Sequence, residues 1–188
     1  EIGSKWLSPN KKTEFRLVAF QRRINDVIVY AYPNNINLDK QHDQGFELES
    51  TFNVNSKLTT KVFYSYVNGD VKTNMAGKDT TYYNLFRRPK NMIGVNIACQ
   101  VNTPFYISLN SKFFGQREDL YFNMDSFTNQ TVSLKAYTLI DFYGEYHLKK
   151  IHATLFTDIK NILNTDYQEV YGYATMGINI NTGIRVKL

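Results

Sequence analysis

A single cysteine, Cys99, among 188 residues excludes an internal disulfide framework. No apolar run approaches the roughly 18 residues of a membrane-spanning helix, so helical insertion is excluded as well. Helical periodicity is missing throughout. Like charges form no block: 22 basic and 17 acidic residues leave a net charge of +5 spread along the chain. Binding of nucleic acid would call for Lys and Arg clustered on one element, and the pattern argues against it. Three histidines and no evident Ser/His/Asp set offer no catalytic constellation, and acid/base chemistry by Glu47 and Glu49 would need a partner in a dry cleft. No signal peptide opens the chain. Glu1 starts inside an extended pattern, and the natural start is expected upstream.

What the chain has is aromatic residues and alternation. It holds 14 Tyr and 13 Phe. The end of the chain is the clearest case: Ile178, Ile180, Thr182, Ile184, Val186 and Leu188 alternate with Asn179, Asn181, Gly183, Arg185 and Lys187. Period two with one apolar and one polar face is the pattern of a strand between oil and water. Nine such segments are expected, at about 1–8, 12–24, 43–54, 57–68, 90–102, 104–116, 134–148, 151–161 and 176–188.

The connections alternate too. Four are tight, at Ser8-Pro9-Asn10-Lys11, Asn55-Ser56, Asn102-Thr103 and Lys149-Lys150. Four are long, at roughly 25–42, 69–89, 117–133 and 162–175. Short turns at one end and long loops at the other are the plan of an outer-membrane barrel, with the long loops outside the cell. Phe46, Leu48, Phe52 and Val54 form one apolar face; Ile93, Val95, Ile97, Cys99 and Val101 form another. Neither face carries Lys or Arg in its middle, where a charge in lipid would cost about 2–4 kcal/mol. A soluble sandwich or lipocalin-like barrel would need a second apolar layer that no segment supplies. The fold class expected is therefore all-β, an antiparallel transmembrane β-barrel.

Several stretches look familiar in combination. AFQRRINDVIVY (19–30), NLFRRPKNMIG (84–94) and IKNILNTDYQEVYGYATMG (159–177) resemble segments of TonB-dependent outer-membrane receptors. QGFELES, YSYVNG, LFRRPK, QTVSL, LIDFYGEY and DYQEVYGY fall in the order and approximate spacing of the cobalamin receptor branch. The resemblance covers essentially all 188 residues. It implies a plugged barrel of roughly 22 strands, of which residues 1–188 would be the C-terminal part of about nine. Such barrels usually finish on an aromatic residue, whereas this chain finishes on Leu188.

The same resemblance implies an uptake receptor for cobalamin or another corrinoid, not an enzyme, in the bacterial outer membrane. Its implied partners are the TonB energy transducer acting through a plug, the remaining strands, a possible surface lipoprotein cap and outer-membrane lipid. No cofactor is expected within this chain; the family's calcium loops belong to the first half of the receptor. A siderophore or other metal-chelate receptor is the alternative within the class. An outer-membrane barrel enzyme such as a lipase is the alternative of another class. Ligand-binding residues implied are Arg87, Arg88, Tyr171, Tyr173 and, more loosely, Tyr121 and Phe122. An Arg fork suits amides and phosphate alike. An aromatic ring on the rim serves equally as an anchor at the membrane interface. Finally, a two-residue turn at Lys149-Lys150 would set His147 opposite His152, a pair lacking the third ligand of a metal site.

Overall fold

Alternation commits each segment to a strand with one face in each environment. The computed structural model describes residues 1–31, 34–75, 78–83 and 85–186, and all nine expected segments are strands of one antiparallel sheet. In order they are β1 (Ile2–Leu7), β2 (Thr13–Ala31), β3 (Asn34–Asn53), β4 (Leu58–Met75), β6 (Asn91–Asn102), β7 (Phe105–Phe114), β10 (Tyr137–Leu148), β11 (Ala153–Lys160) and β12 (Asn179–Val186). Each pairs with the next, with no crossover. Three further strands stand at the long-connection end: β5 (Lys78–Tyr83) pairs antiparallel with the far end of β4, and β8 (Arg117–Asn123) pairs only with β9 (Thr128–Leu134). Lys187 and Leu188, the expected end of the last strand, lie outside the described residues.

The registers carry the two faces unbroken around the sheet. Trp6 lies opposite Phe15, Leu17 opposite Leu48, Phe46 opposite Tyr66, Val62 opposite Val95, and Ile97 opposite Leu109. The row continues with Leu109 opposite Phe142, Phe142 opposite Ile159 and Ile159 opposite Ile180. None of these side chains is buried as a soluble core would have them; Trp6 is 51% exposed and Ile180 61%. Rings gather at both margins of the band. Trp6, Phe15 and Phe52 meet near the tight turns, at centroid distances of 5.6 and 5.5 Å. Phe46, Tyr64 and Tyr66 meet near the long connections, at 5.5 and 5.7 Å. An apolar band between two aromatic girdles is a lipid-facing surface. The other face carries the charges, in cross-strand pairs such as Lys5 with Glu14 at 2.9 Å and Arg16 with Glu49 at 3.3 Å.

Two expectations are corrected. The long connections at 25–42 and 69–89 are mostly continued ladder, because β2, β3 and β4 run well past the apolar band. Outside lipid neither face needs to be apolar, so period two fades while the pairing persists. The connection at 117–133 is likewise a hairpin; 162–175 remains irregular. The last tight turn is a four-residue connection built on a 3-10 turn, Lys149–Ile151, which His152 closes in the left-handed conformation at φ 49°. Leu148 therefore faces Ala153, and His147 faces Thr154, bonding its hydroxyl at 2.8 Å. His147 and His152 are not opposite one another.

Above the band, an aspartate joins wall and loop. Asp43 is fully buried on the polar face and accepts from Arg22 of the adjacent strand at 3.0 and 2.6 Å, and from Gln41 at 2.5 Å. Arg88, from the segment between β5 and β6, adds two bonds at 3.0 and 2.6 Å. A buried charge is tolerated only when so satisfied. Its neighbour across the ladder is Gly69, where a Cβ would strike the Asp43 carboxylate and the His42 carbonyl.

Two predictions follow from this arrangement. Ile97→Lys should lower the unfolding free energy of the complete receptor in vesicles by about 2–4 kcal/mol, while Asn96→Lys on the polar face should change it by less than about 1. Asp43→Ala should leave the arginines uncompensated, at a local cost of about 3 kcal/mol. Hydrogen exchange at the amides of residues 85–88 and 90 should then accelerate about a hundredfold.

Candidate functional site

The polar face opens, at the long-connection end, onto three segments that carry most of the expected ligand residues: the stretch before β6, the β8–β9 hairpin and the irregular loop 161–178. Burial concentrates here, with Leu38, Val71, Phe86, Leu134 and Tyr137 among the buried apolar side chains.

Arg87 sits in the left-handed region at φ 64°, a conformation uncommon for a residue with a Cβ. Two bonds to β8 hold it there. Its amide donates to the Glu118 carbonyl at 2.7 Å and its Nε to Asp119 Oδ1 at 2.7 Å. Asp119 is buried, and its second oxygen accepts the Tyr171 amide at 2.8 Å. One carboxylate thus joins the segment before β6 to the last loop. The Arg87 guanidinium remains 43% exposed, able to meet a solute while its Nε is held.

Arg117 fastens the same loop from below. Nearly buried, it donates to the Gln168 carbonyl at 2.5 Å and lies 4.8 Å above the Tyr137 ring. Tyr137 stacks between Phe114 and Tyr167, at 4.9 and 4.5 Å, and its hydroxyl reaches Glu169 at 3.3 Å. Asn161, buried and at φ 50°, closes the loop on itself. Its side chain donates to the Thr165 carbonyl at 2.9 Å and accepts the Thr165 amide at 2.8 Å. Asn164 accepts from the Ile178 amide at 2.9 Å, next to where β12 begins. Loop 161–178 lacks regular structure, yet side chains bond several of its backbone groups.

The expected residues therefore divide. Arg87, Tyr121 and Tyr171 come together around Asp119, with the two tyrosine rings 4.7 Å apart. Arg88 turns to Asp43 and is mostly covered. Tyr173 stands away from them, 70% exposed on the loop. Phe122 packs edge-on against Phe127 at 6.3 Å, on the hairpin. Sequence reading missed Asp43, Arg117, Asp119 and Asn161, the residues that hold these segments in place. Only Asn161 had a signal, being part of the familiar IKNILNTDY stretch.

A cleft of about 250 Å³ lies beside Arg87, between Val27, Ile28, Phe86 and Leu120. It is smaller than usual ligand pockets. Among the described residues no group of three His, Cys, Asp or Glu is placed to hold a metal ion.

Solved structures share this architecture. The chain superposes on the ferripyoverdine receptor of the outer membrane of Pseudomonas aeruginosa bound to ferripyoverdine, with TM-score 0.75 and 12% identity over 97% of this chain and 26% of that one. For the siderophore receptor PiuA from Acinetobacter baumannii the TM-score is 0.70 and the identity 18%, over 97% and 27%. For the FrpB iron transporter from Neisseria meningitidis the values are 0.71 and 14%, over 97% and 30%. The chain thus spans little more than a quarter of the length of the receptors it matches. Residues 1–162 match the family described as TonB dependent receptor-like, beta-barrel, and with its faces, girdles and turn pattern the chain belongs to that family of outer-membrane barrels.

Proposed function

We propose that the protein is a non-enzymatic uptake receptor that captures a metal chelate at its extracellular mouth and passes it inward with energy delivered by TonB. The rest of the barrel, an N-terminal plug and the contact with TonB lie in the part of the receptor beyond these 188 residues. The observation carrying this reading is the mouth itself. Exposed Tyr173 and the half-exposed Arg87 guanidinium stand on segments pinned from below by Asp119 and Arg117. Aromatic faces and a few charged donors on a preformed frame suit a large, rigid, partly anionic ligand, because little ordering is needed on binding.

An iron chelate of the siderophore class is the first choice, supported by the iron and siderophore ligands named for the similar receptors. A corrinoid is the second, supported by the order of LFRRPK, LIDFYGEY and DYQEVYGY along the chain. In either case Tyr173 offers a ring face and Arg87 a hydrogen-bonding fork, with the packed Tyr171 and Tyr121 rings beside Arg87. Arg88 acts through Asp43 as a positioning residue.

Titration of the complete receptor, purified from outer membranes, with a panel of ferric siderophores and with cobalamin should give saturable tight binding for one class. Failure of both would overturn the chelate reading and leave the fold untouched. Tyr173→Ala should weaken binding about tenfold, the loss of one aromatic contact. Asp119→Asn should weaken it by a similar factor through Arg87 and the loop, and should also speed exchange of the Tyr171 amide, which Tyr173→Ala leaves unchanged.

A further inference from the structure

The lipid-facing surface of β2, β3 and β4 does not end at its aromatic girdle. Beyond the last apolar row, Ala19–Phe46–Tyr66, the same outward face carries an amide row, Gln21–Gln44–Asn68. Next comes Arg23 opposite His42 opposite Asp70, and then Lys40 opposite Lys72. The side chains confirm that this is one face, separate from the Arg22–Asp43 face. Gln21 Nε2 lies 2.8 Å from His42 Nε2, and His42 Nδ1 lies 3.9 Å from Asp70.

We propose that Arg23, Lys40 and Lys72 bind the phosphorylated headgroup of a lipid in the outer leaflet. Position is the first argument. At about 3.3 Å per residue along a strand tilted by about 40°, the Arg23 row stands roughly 10 Å and the Lys40–Lys72 row roughly 15 Å beyond the last apolar row, where long basic side chains reach back to the outer side of the headgroup layer. A face continuous with the acyl-facing band meets lipid before any soluble partner. Charge is the second. Lys40 and Lys72 are directly opposite, an arrangement that repels unless an anion lies between them, and Arg23 is diagonal to Lys40. All three are exposed, and among the described residues none of them forms an ion pair.

Acidic groups on this face do not cancel the cluster. Asp70 lies 3.9 Å from His42 Nδ1, Asp39 accepts the Asn74 backbone amide at 2.8 Å, and Asp79, higher up on β5, accepts from the Asn74 side-chain Nδ2 at 2.8 Å. The outward strand ends farther along the sheet, at Asn91, Phe113 and Thr138, are uncharged, so the site is local to one pair of hairpins. An Arg fork with two flanking ammonium groups is a donor set for phosphate oxygens.

The complete receptor is reconstituted in phosphatidylcholine nanodiscs containing either a bisphosphorylated glucosamine lipid or the same lipid with its phosphates removed, and bound lipid is counted by native mass spectrometry. Retention of the phosphorylated form alone is expected, falling about tenfold in Arg23→Gln/Lys40→Gln/Lys72→Gln. The charge-matched control Lys11→Gln/Lys57→Gln/Lys150→Gln, at the opposite rim, should retain it. Equal retention in both variants would overturn the proposal, as would displacement by millimolar inorganic phosphate, which would assign the cluster to small anions. Should the triple variant fail to assemble, the wild-type receptor still decides: retention must fall as salt rises.

Discussion

Hydrocarbon offers a backbone amide no partner, and the rest of this structure depends on that constraint. Within the lipid-facing band every strand from β2 to β11 is paired on both sides, so the backbone groups of the ladder find their bonds in neighbouring strands. Pairing at fixed spacing then forces alternate side chains to opposite faces. The aromatic girdles, the uncharged outer face and the ion pairs of the inner face are consequences of one ladder crossing one solvent boundary.

Outside the boundary the constraint changes. Water can serve the backbone there, and irregular segments become possible where they carry exposed rings and guanidinium groups. Order is restored by a few buried charges: Asp43 for the segment ahead of β6, Asp119 and Arg117 for the last loop. Each joins pieces distant in sequence, and each has several partners, as a charge withdrawn from water requires. The result is a stiff base beneath an exposed rim. Pre-ordered loops suit tight capture, since the entropy of ordering them is lost on folding and not on binding.

The fold was legible in the sequence because lipid imposes a strong, repetitive signal. All nine segments, the tight turns between them, and the apolar faces at Phe46–Val54, Ile93–Val101 and Ile178–Val186 could be read directly. Legibility stopped at the edge of the band. Past Ile24 and Val67 both faces meet polar surroundings, so the extended parts of β2, β3 and β4 read as loops although they are paired. The turn after Leu148 was misjudged by two residues. Lys149 and Lys150 suit either length, and only the left-handed His152 reveals the longer one. Asp43 and Asp119 were invisible for another reason: an isolated aspartate carries no mark of the partners that folding will bring to it. The aromatic and arginine residues of the mouth stood out by motif, while what holds them did not.

The strict order of the sheet bears on how such barrels diversify. Along the path of nine strands each is hydrogen-bonded to its neighbours in that order, β4 alone pairing with β5 as well, and successive strands alternate in direction. Removing one whole hairpin, such as β6 with β7, would bring β4 beside β10 with antiparallel sense and outward parity both preserved. Circumference is therefore a modular quantity: evolution can widen or narrow the pore two strands at a time without rewiring any surviving connection.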